Sequence, residues 1–301
     1  MIKRKRIISG LLGASIALSV SVATLSLGTA AKEVEAAPVT LTAERTADAH
    51  ATYYGHVEIN GRSLFHGEIF NIDGVTYVPM FRFAAWLGKF SNKYDSKSRT
   101  ATISGENLKI SAKEGTLYIE ANGRYFYTQE KILLRNNEMY VPIKPLVKAL
   151  NSHIKYDDKK QIFVVSSGDT RLLKGAKQVY NENDIYWLAK IISAEAEGEP
   201  MRGKIAVGNV ILNRMRSNQY PNTIYGVIFD KKYGVQFAPV SNGRIYKTAD
   251  AESIIAAKMC YEGYSLSSEI LYFLNPSASS SNWIVKTRPF AFSIQNHHFF
   301  K

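Results

Sequence analysis

The stretch IYWLAKIISAEAEGEP, residues 185–200, joins a helical apolar pattern to three closely spaced glutamates. Its apolar residues recur at the spacing of one face of an α-helix, and they are Ile185, Leu188, Ile192 and Ala196. Glu195 lies on the flank of this apolar face, whereas Glu197 points away from it. We predict a helix that Asn183 or Asp184 caps at its N-terminus.

The three glutamates are therefore not equivalent. A carboxyl group at the edge of a buried face loses part of its hydration, which favours the protonated form and raises the pKa. A raised pKa suits Glu195 to act as a general acid near neutral pH. The structural alternative for Glu195 is an ion pair with a nearby Arg or Lys. Glu197 is predicted to be a solvated charge, and Glu199, which precedes Pro200, is predicted to cap the next helix.

Residues 1–36 have the pattern of a secretory signal peptide. Lys3 to Arg6 form a cationic start, an apolar stretch follows, and small residues near Ala36 offer a cleavage site. An uncleaved anchor is the alternative, because the apolar stretch approaches the length that spans a bilayer. We predict cleavage, secretion to the cell wall or spore envelope, and no stable membrane insertion afterwards.

The charge of the chain indicates an anionic partner. The formal net charge is +12, and removal of residues 1–36 deletes five basic and two acidic residues, which leaves +9. A secreted protein with this charge is drawn to anionic cell-wall polymers. The sequence contains no zinc-finger, helix-turn-helix or aromatic RNA-binding motif, so nucleic acid is not a predicted partner. The single cysteine excludes an intramolecular disulfide, and about 265 residues held by hydrophobic cores suggest two domains.

An internal repeat fills residues 50–168. EINGR at Glu58–Arg62 returns as EANGR at Glu120–Arg124, and YVP at Tyr77–Pro79 returns at Tyr140–Pro142. Asn-Gly is typical of a tight turn between two strands, and the apolar residues after each YVP have helical spacing. Each copy is therefore predicted to be a small β-rich unit with one helix.

The paired NGR, YVP and YD motifs resemble the domain named after the N-terminal region of copper amine oxidases. The resemblance implies a spacer or wall-binding module. Four histidines lie in or beside this region, at His50, His56, His66 and His153. Their spacing is not that of copper ligands. We predict no metal and no cofactor. Residues 169–183 are predicted to be a linker to a second domain, residues 184–301.

The second domain carries several motifs in order. They are SAEAEGEPMRGKIAVGNVILNRM, YPNTIYGVIFD, VQFAPVSNGRI, LYFLNP and NHHFF. These motifs resemble the cell-wall hydrolase family of the spore cortex-lytic enzymes. The resemblance implies a mainly helical domain similar to lysozyme and lytic transglycosylases, so the whole chain is predicted to be α+β. It also implies cleavage of peptidoglycan glycan strands, with the first glutamate of the AEAEGEP block, Glu195, as the catalytic group.

The chemistry implied by this resemblance can proceed with one carboxyl group. Cleavage between N-acetylmuramic acid and N-acetylglucosamine needs an acid for the leaving oxygen and a trap for the oxocarbenium-like sugar. In a lytic transglycosylase the muramic C6 hydroxyl is the trap, and the same glutamate acts first as acid and then as base. Glu199 as a second carboxylate is the hydrolytic alternative. Spore cortex and vegetative wall both stay open as the place of action.

Five further residues are candidate sugar contacts or, alternatively, ordinary core and loop residues. They are Gln236, Phe237, Tyr272, Asn275 and Trp283. His297 is predicted to orient a carboxylate or to satisfy a core polar group. A cysteine peptidase using Cys260 with His297 or His298 is a rival interpretation, although Cys260 lies beside alanines in mid-helix, which favours a buried thiol. A non-catalytic wall-binding protein is the other alternative.

Overall fold

The computed structural model describes residues 52–53, 55–232, 234–277 and 283–301. The predicted signal peptide, residues 1–36, lies outside these ranges. Within them, no helix is both long and apolar enough to cross a membrane. The architecture is mixed α+β, as predicted, with a β-rich part followed by a mainly helical part.

The β-rich part consists of short strands and two helices. The strands are β1 (Thr52–Tyr53), β2 (Val57–Ile59), β3 (Arg62–Leu64), β4 (Phe70–Ile72), β5 (Val75–Pro79), β6 (Ser91–Asp95), β7 (Thr100–Ser104), β8 (Lys109–Lys113), β9 (Tyr118–Ala121), β10 (Arg124–Tyr127), β11 (Leu133–Arg135), β12 (Glu138–Pro142), β13 (His153–Asp157) and β14 (Ile162–Ser166). The helices are α1 (Met80–Ala85) and α2 (Ile143–Ala149), and each begins directly after a YVP motif.

Both NGR motifs form the predicted hairpins. Strand β2 pairs with β3 through Ile59 opposite Arg62, and β9 pairs with β10 in the equivalent register. The turn residues Asn60 and Gly61 have φ values of 50° and 79°, and their counterparts in the second copy have 51° and 78°. This left-handed conformation is the one that an Asn-Gly turn provides at low cost.

The two copies interlock instead of folding separately. The YVP strands β5 and β12 pair antiparallel, with Val78 opposite Val141. The first hairpin joins the last strand of the second copy, because β2 pairs in parallel with β14 through Ile59 and Val165. Helices α1 and α2 bury their apolar faces in one shared core. The repeat region is therefore a single folded unit.

The histidines of this unit do not form a copper site. The rings of His56 and His66 stack with centroids 5.2 Å apart, and Nε2 of His66 lies 3.4 Å from the Ser63 hydroxyl. His153 is exposed on β13, and His50 lies outside the described residues. Among the residues that the structure describes, no three His, Cys, Asp or Glu side chains converge as metal ligands.

The mainly helical part is built around three long helices. Its elements are a 3₁₀ turn (Thr170–Leu172), α3 (Ala176–Val179), α4 (Glu182–Ala196), α5 (Met201–Arg216), α6 (Ile224–Ile228), α7 (Ala238–Ser241), a second 3₁₀ turn (Arg244–Tyr246), α8 (Ala251–Tyr261), β15 (Tyr272–Leu274), α9 (Trp283–Thr287), β16 (Phe290–Ile294) and β17 (His297–Phe300). Helices α4, α5 and α8 pack against one another around a common apolar core. A sheet in the order β15-β17-β16 contacts α5 through β15.

The segment predicted as a linker, residues 169–183, is held against the second repeat. It contains the first 3₁₀ turn and α3, and the backbone N–H of Ala176 donates to the carbonyl of Asn122 at 3.0 Å. The hydroxyl of Tyr180 accepts a hydrogen bond from the backbone N–H of Tyr125 at 3.2 Å. These contacts attach the segment along its length.

A buried carboxylate joins the repeat unit to the helical part. Arg124, from the second NGR motif, donates Nε and Nη2 to the two carboxylate oxygens of Glu262, both at 2.7 Å. The hydroxyl of Tyr180 donates to the same carboxylate at 2.9 Å. The Glu262 side chain is 5% exposed and the Arg124 side chain 14% exposed. The ring of Tyr127 contacts Tyr264, with centroids 4.0 Å apart, so apolar packing accompanies the ion pair.

We expect Glu262→Gln to destabilise the chain by about 3 kcal/mol, because it leaves the Arg124 charge buried without its partner. The measurement is urea unfolding at neutral pH. The matched control is Glu252→Gln, which removes an exposed carboxylate from α8 and should change the free energy of unfolding by less than about 0.5 kcal/mol. Equal effects of the two substitutions would show that the junction contributes nothing to stability.

Candidate active site

Helix α4 begins two residues earlier than the sequence predicts. Asn181 is the N-cap, and its side-chain oxygen accepts from the backbone N–H of Asp184 at 3.1 Å. The predicted caps, Asn183 and Asp184, lie inside the first turn, so that prediction is wrong. The reason is that Asn181 has the extended backbone of a cap, and Glu182 and Asp184 then place negative charge at the positive end of the helix dipole.

Glu195 is the penultimate residue of α4 and lies on the edge of its buried face. Leu188, Ile192 and Ala196 are buried, whereas Glu195 is partly exposed and Glu197 is exposed. Burial raises the pKa of Glu195 to about 7. The structure thus contains the partly desolvated carboxyl group and the solvated neighbour that the helical spacing predicts.

Arg244 is the basic residue whose charge acts on Glu195. It opposes the effect of burial by lowering the pKa of Glu195, and it lies in the second 3₁₀ turn, which contacts α4. In the described part of the chain no Lys or Arg forms an ion pair with Glu195 within 4.0 Å. The Glu195 carboxyl group is therefore influenced by a cation without being neutralised by it.

A buried lysine fixes the turn that carries Arg244. Lys190, five residues before Glu195 on α4, donates its ammonium to the carbonyls of Tyr246 and Lys247. Because the two acceptors follow Arg244 by two and three residues, this contact ties the turn to the same helix that carries Glu195. Sequence analysis missed Arg244 and Lys190, since nothing in their local pattern distinguishes them from ordinary surface charges.

Glu199 faces a different partner. It is buried, and its Oε1 lies 3.2 Å from Nδ1 of His297 on β17. Burial lowers the pKa of His297, and the nearby Glu199 carboxylate opposes that effect. The predicted capping role of Glu199 is wrong, because Pro200 is the N-cap of α5 and no side chain caps that helix. Of the two roles predicted for His297, the structure shows the contact with a carboxylate.

Gly203 makes room for the Glu199 side chain. A Cβ at position 203 would lie 2.9 Å from Cβ of Glu199, closer than real side chains approach. The second carboxylate oxygen of Glu199, Oε2, is buried without a hydrogen-bond partner. Glu199 is thus enclosed between α5 and β17, in contrast to the partly exposed Glu195.

Three of the five candidate sugar contacts lie around one buried cation. The guanidinium of Arg214 on α5 lies 5.2 Å from the ring centroid of Phe237 and 5.4 Å from that of Tyr272. Trp283 packs edge-on against Tyr272, with centroids 6.0 Å apart, and is 52% exposed. Sequence analysis did not name Arg214 as a site residue, because several other basic residues lie on the same helix.

The other two candidates make local contacts. The side-chain amide of Gln236 donates to the carbonyl of Gly234 at 3.0 Å. The side-chain oxygen of Asn275 accepts from the backbone N–H of Ser277 at 3.0 Å. Both contacts are typical of residues that stabilise a turn. The structure does not place either amide among the rings around Arg214.

An aromatic group at the surface of α4 was not predicted. The Trp187 ring on α4 contacts Tyr225 and Tyr246, with centroids 5.3 Å and 6.4 Å away. Tyr225 and Tyr246 are both exposed, and Tyr246 belongs to the same 3₁₀ turn as Arg244. Exposed aromatic rings are suited to holding a sugar chain. Sequence analysis did not single out Trp187.

Cys260 is not placed as a nucleophile. It is fully buried in the last turn of α8, where burial raises its pKa to about 12. Its thiol donates to the carbonyl of Ile205 at 3.5 Å. A reactive thiol needs an exposed site that stabilises the thiolate. The packing of Cys260 is that of a small apolar residue, as predicted.

A cavity of about 360 Å³ lies elsewhere, at the junction of the repeats and the helical part. Tyr127 and Lys148 line it from the second repeat, and Tyr264 lines it from the helical part. Glu195 does not contribute to its walls.

Comparison with known proteins identifies two families in the chain. Residues 198–300 match the Cell Wall Hydrolase family, and residues 58–167 match the Copper amine oxidase N-terminal domain family. Both resemblances expected from the sequence are confirmed. The first match begins three residues after Glu195, so the family match itself does not include that residue.

Individual relatives are also spore cortex-lytic enzymes and cell wall hydrolases. The spore cortex-lytic enzyme of Bacillus cereus is 38% identical over 122 residues, which cover 40% of this chain and 46% of the relative. The cell wall hydrolase CwlJ of Bacillus subtilis is 27% identical over 125 residues, covering 39% of this chain and 84% of the relative. This chain spans less than half the length of the spore cortex-lytic enzyme that it matches.

A solved structure also matches. It is the catalytic domain of the germination-specific lytic transglycosylase SleB from Bacillus anthracis, at 38% identity. The match covers 40% of this chain and 97% of that domain, with a TM-score of 0.37.

The raised pKa of Glu195 predicts a pH-dependent gain in stability for Glu195→Gln. The carboxyl group titrates near 4.5 when unfolded and near 7 when folded, so the folded state retains a proton that the unfolded state loses in this window. Stability of the wild type therefore falls as pH rises from 4.5 to 7, by up to about 3 kcal/mol. Urea unfolding should show the variant more stable than the wild type at pH 8 and equal to it at pH 4. An equal difference at both pH values would contradict a desolvated Glu195.

Proposed function

We propose that this chain, whose C-terminal part carries a cell wall hydrolase domain, cleaves peptidoglycan glycan strands with Glu195 as the acid. The observation that carries the proposal is the partly exposed Glu195 carboxyl group with its pKa near 7. A group with this pKa is protonated in a useful fraction of molecules at neutral pH and can still donate its proton. Glu195 is also partly exposed, as contact with a substrate requires.

The proposed reaction breaks the bond between N-acetylmuramic acid and N-acetylglucosamine. Protonated Glu195 donates its proton to the leaving glycosidic oxygen while an oxocarbenium-like muramic residue develops. The carboxylate that results then removes the proton of the muramic C6 hydroxyl, whose oxygen closes on C1. The products are a 1,6-anhydromuramic end and a new free 4-hydroxyl group, and Glu195 regains its proton.

The environment of Glu199 favours this transglycosylation over hydrolysis. A hydrolase needs a second carboxylate as nucleophile or as the base that activates water. Glu199 is enclosed in contact with His297, and its free oxygen Oε2 is buried. A carboxylate held in this way does not present itself to a sugar. The hydrolytic alternative with Glu195 and Glu199 predicts a different product, so the two are distinguishable.

The sites of action and attachment follow from the charge and the N-terminal pattern. We propose that residues 1–36 direct secretion and that the remaining chain works in the cell wall or spore envelope. The charge of +9 that remains supports binding to anionic wall polymers. The repeat unit, residues 50–168, is proposed to contribute to this wall binding while it is fixed to the domain of residues 184–301 through Glu262.

The assignment of Glu195 is tested by an isosteric pair of variants. Glu195→Gln keeps the shape but removes the proton, and we expect glycan cleavage to fall at least ~100-fold. Glu197→Gln, an exposed residue on the same helix, should retain activity within about threefold of the wild type. Mass spectrometry of the fragments released from purified sacculi and spore cortex measures both rate and chemistry.

The products decide between the alternatives. Anhydromuramic ends support the proposed transglycosylation, and reducing ends support hydrolysis with Glu199. Full activity of both variants would overturn the role of Glu195. No release of fragments by the wild-type chain would instead favour a wall-binding protein.

The charge of Arg244 leads to a second prediction, which concerns how kcat/KM depends on pH. Because Arg244 lowers the pKa of Glu195, Arg244→Gln should raise that pKa. Glu195 must be protonated to act as the acid, so kcat/KM falls as pH rises through about 7, and this fall should move to higher pH in the variant. The control Arg202→Gln removes an exposed charge at the start of α5 and should leave the profile unchanged. A shift to lower pH in Arg244→Gln would contradict the account.

A further inference from the structure

A buried lysine contacts the end of the helix that carries Glu195. Lys204 on α5 is 1% exposed, and its ammonium donates to the backbone carbonyl of Glu197 at 3.0 Å. Glu197 is the C-cap of α4 and follows Glu195 by two residues. The last carbonyls of a helix have no hydrogen-bond partner within it, and a cation there is also attracted to the negative end of the helix dipole. Lys204 therefore caps α4 two residues after the proposed acid.

The same lysine is paired with Asp250, at the start of α8. Nζ of Lys204 lies 3.5 Å from both carboxylate oxygens of Asp250 and 3.4 Å from the hydroxyl of Ser253. The exposed carboxylate of Glu252 lies farther away, at 4.0 Å. Asp250 is the N-cap of α8, and its carboxylate accepts from both the backbone N–H and the hydroxyl of Ser253. The ion pair therefore joins α5 to the first turn of α8.

Asp250 also holds α4 on the other side of Glu195 in the chain. The backbone N–H of Asp250 donates to the hydroxyl of Ser193 at 3.2 Å. Ser193 precedes Glu195 by two residues, and Glu197 follows it by two. Contacts from α5 and from the start of α8 thus hold the end of α4 both before and after the proposed acid, and the pair of Lys204 with Asp250 connects the two contacts.

The position of this last turn matters because Glu195 is the penultimate residue of α4. Helix ends fray, and a frayed last turn would return water to the Glu195 carboxyl group. Burial is what raises the pKa of Glu195, so the raised pKa depends on a turn that stays in place. An ion pair with a buried member often stabilises a fold no more than apolar residues of similar volume would, so stability alone does not account for Lys204.

We infer that Lys204 is a positioning residue for Glu195. Paired with Asp250, it fixes the last turn of α4 against α5 and α8 and so keeps the Glu195 carboxyl group partly buried. Lys204 acts through the backbone of the helix, whereas the cation whose charge acts on Glu195 is Arg244. The importance of Lys204 for glycan cleavage rests on the proposed function, but its effect on Glu195 rests on the contacts of Lys204 and Asp250 alone.

The test is the titration of Glu195 in Lys204→Met, a substitution that keeps the length of the side chain but removes its charge and its donors. Carbon-13 NMR of the glutamate carboxyl carbons measures the titration midpoint in the whole chain. We expect the midpoint to fall from about 7 toward 4.5 by about one pH unit, because the loosened turn hydrates the carboxyl group. Loss of a nearby positive charge would by itself raise the midpoint, so the direction of the shift separates positioning from a direct effect of charge.

Two further variants show whether the effect belongs to these contacts. Ser193→Ala removes only the hydroxyl that accepts from Asp250, so it preserves the fold, and it should lower the midpoint of Glu195 by a smaller amount. The matched control is Glu262→Gln, which like Lys204→Met removes the more buried member of an ion pair, but at the junction with the repeats. It should destabilise the chain and leave the midpoint at about 7. Urea unfolding of each variant measures the loss of stability.

The outcomes separate this inference from the proposed function. A midpoint that rises in Lys204→Met, or that stays near 7 in Ser193→Ala, or that moves equally in Glu262→Gln, would overturn the positioning role. With the expected shift, kcat/KM of Lys204→Met on sacculi at pH 7 should fall about fivefold, because fewer molecules carry the proton. The shift together with no cleavage of sacculi by the wild type would support the positioning role and overturn the proposed function. Cleavage by the wild type without the shift would do the reverse.

Discussion

The partial burial of one carboxyl group on α4 is the constraint on which the proposed chemistry depends. Glu195 gains its raised pKa because α4 packs against α5 and α8 and removes water from one side of the carboxyl group. Its neighbour Glu197, two residues on, faces solvent. Residues two positions apart lie about 160° apart around a helix, so the packing of the helix decides which glutamate can act as an acid.

The surroundings of Glu195 are organised by long-range contacts to the same helix. Lys190 holds the turn of Arg244 and Tyr246 through backbone carbonyls, and this places one cation near the acid without pairing them. An ion pair would stabilise the carboxylate and remove the proton that catalysis needs. Glu199, in contrast, is used in a buried contact with His297 that joins α5 to β17. Glu195 and Glu199 thus differ in their exposure to solvent as well as in the residue that each one faces.

The repeat unit is part of the same folded body. Its second NGR motif supplies Arg124 to the buried carboxylate of Glu262, whereas Arg62 of the first NGR motif lies over Trp86 at 5.8 Å. One repeated motif therefore serves an inter-domain contact in one copy and a surface contact in the other. A wall polymer bound by the repeats would be held at a fixed position relative to Glu195.

Local features of this structure were predictable from the sequence, and distant pairings were not. The Asn-Gly hairpins, the helices after YVP and the flank position of Glu195 follow from turn chemistry and periodicity, which act over a few residues. The pairing of β2 with β14 and the contact of Glu199 with His297 join residues about 100 positions apart. No periodic pattern encodes such pairs. The start of α4 was misplaced because NEND offers several polar caps, and only the backbone conformation selects Asn181.

The most direct test of the central claim is the titration of Glu195 itself. Carbon-13 NMR of the chain labelled at the glutamate side-chain carboxyl carbon follows each glutamate through the pH range, and the spectrum of Glu195→Gln assigns the resonance. The account predicts a midpoint at about pH 7 for Glu195. A midpoint near 4.5, the value of an ordinary glutamate, would contradict it.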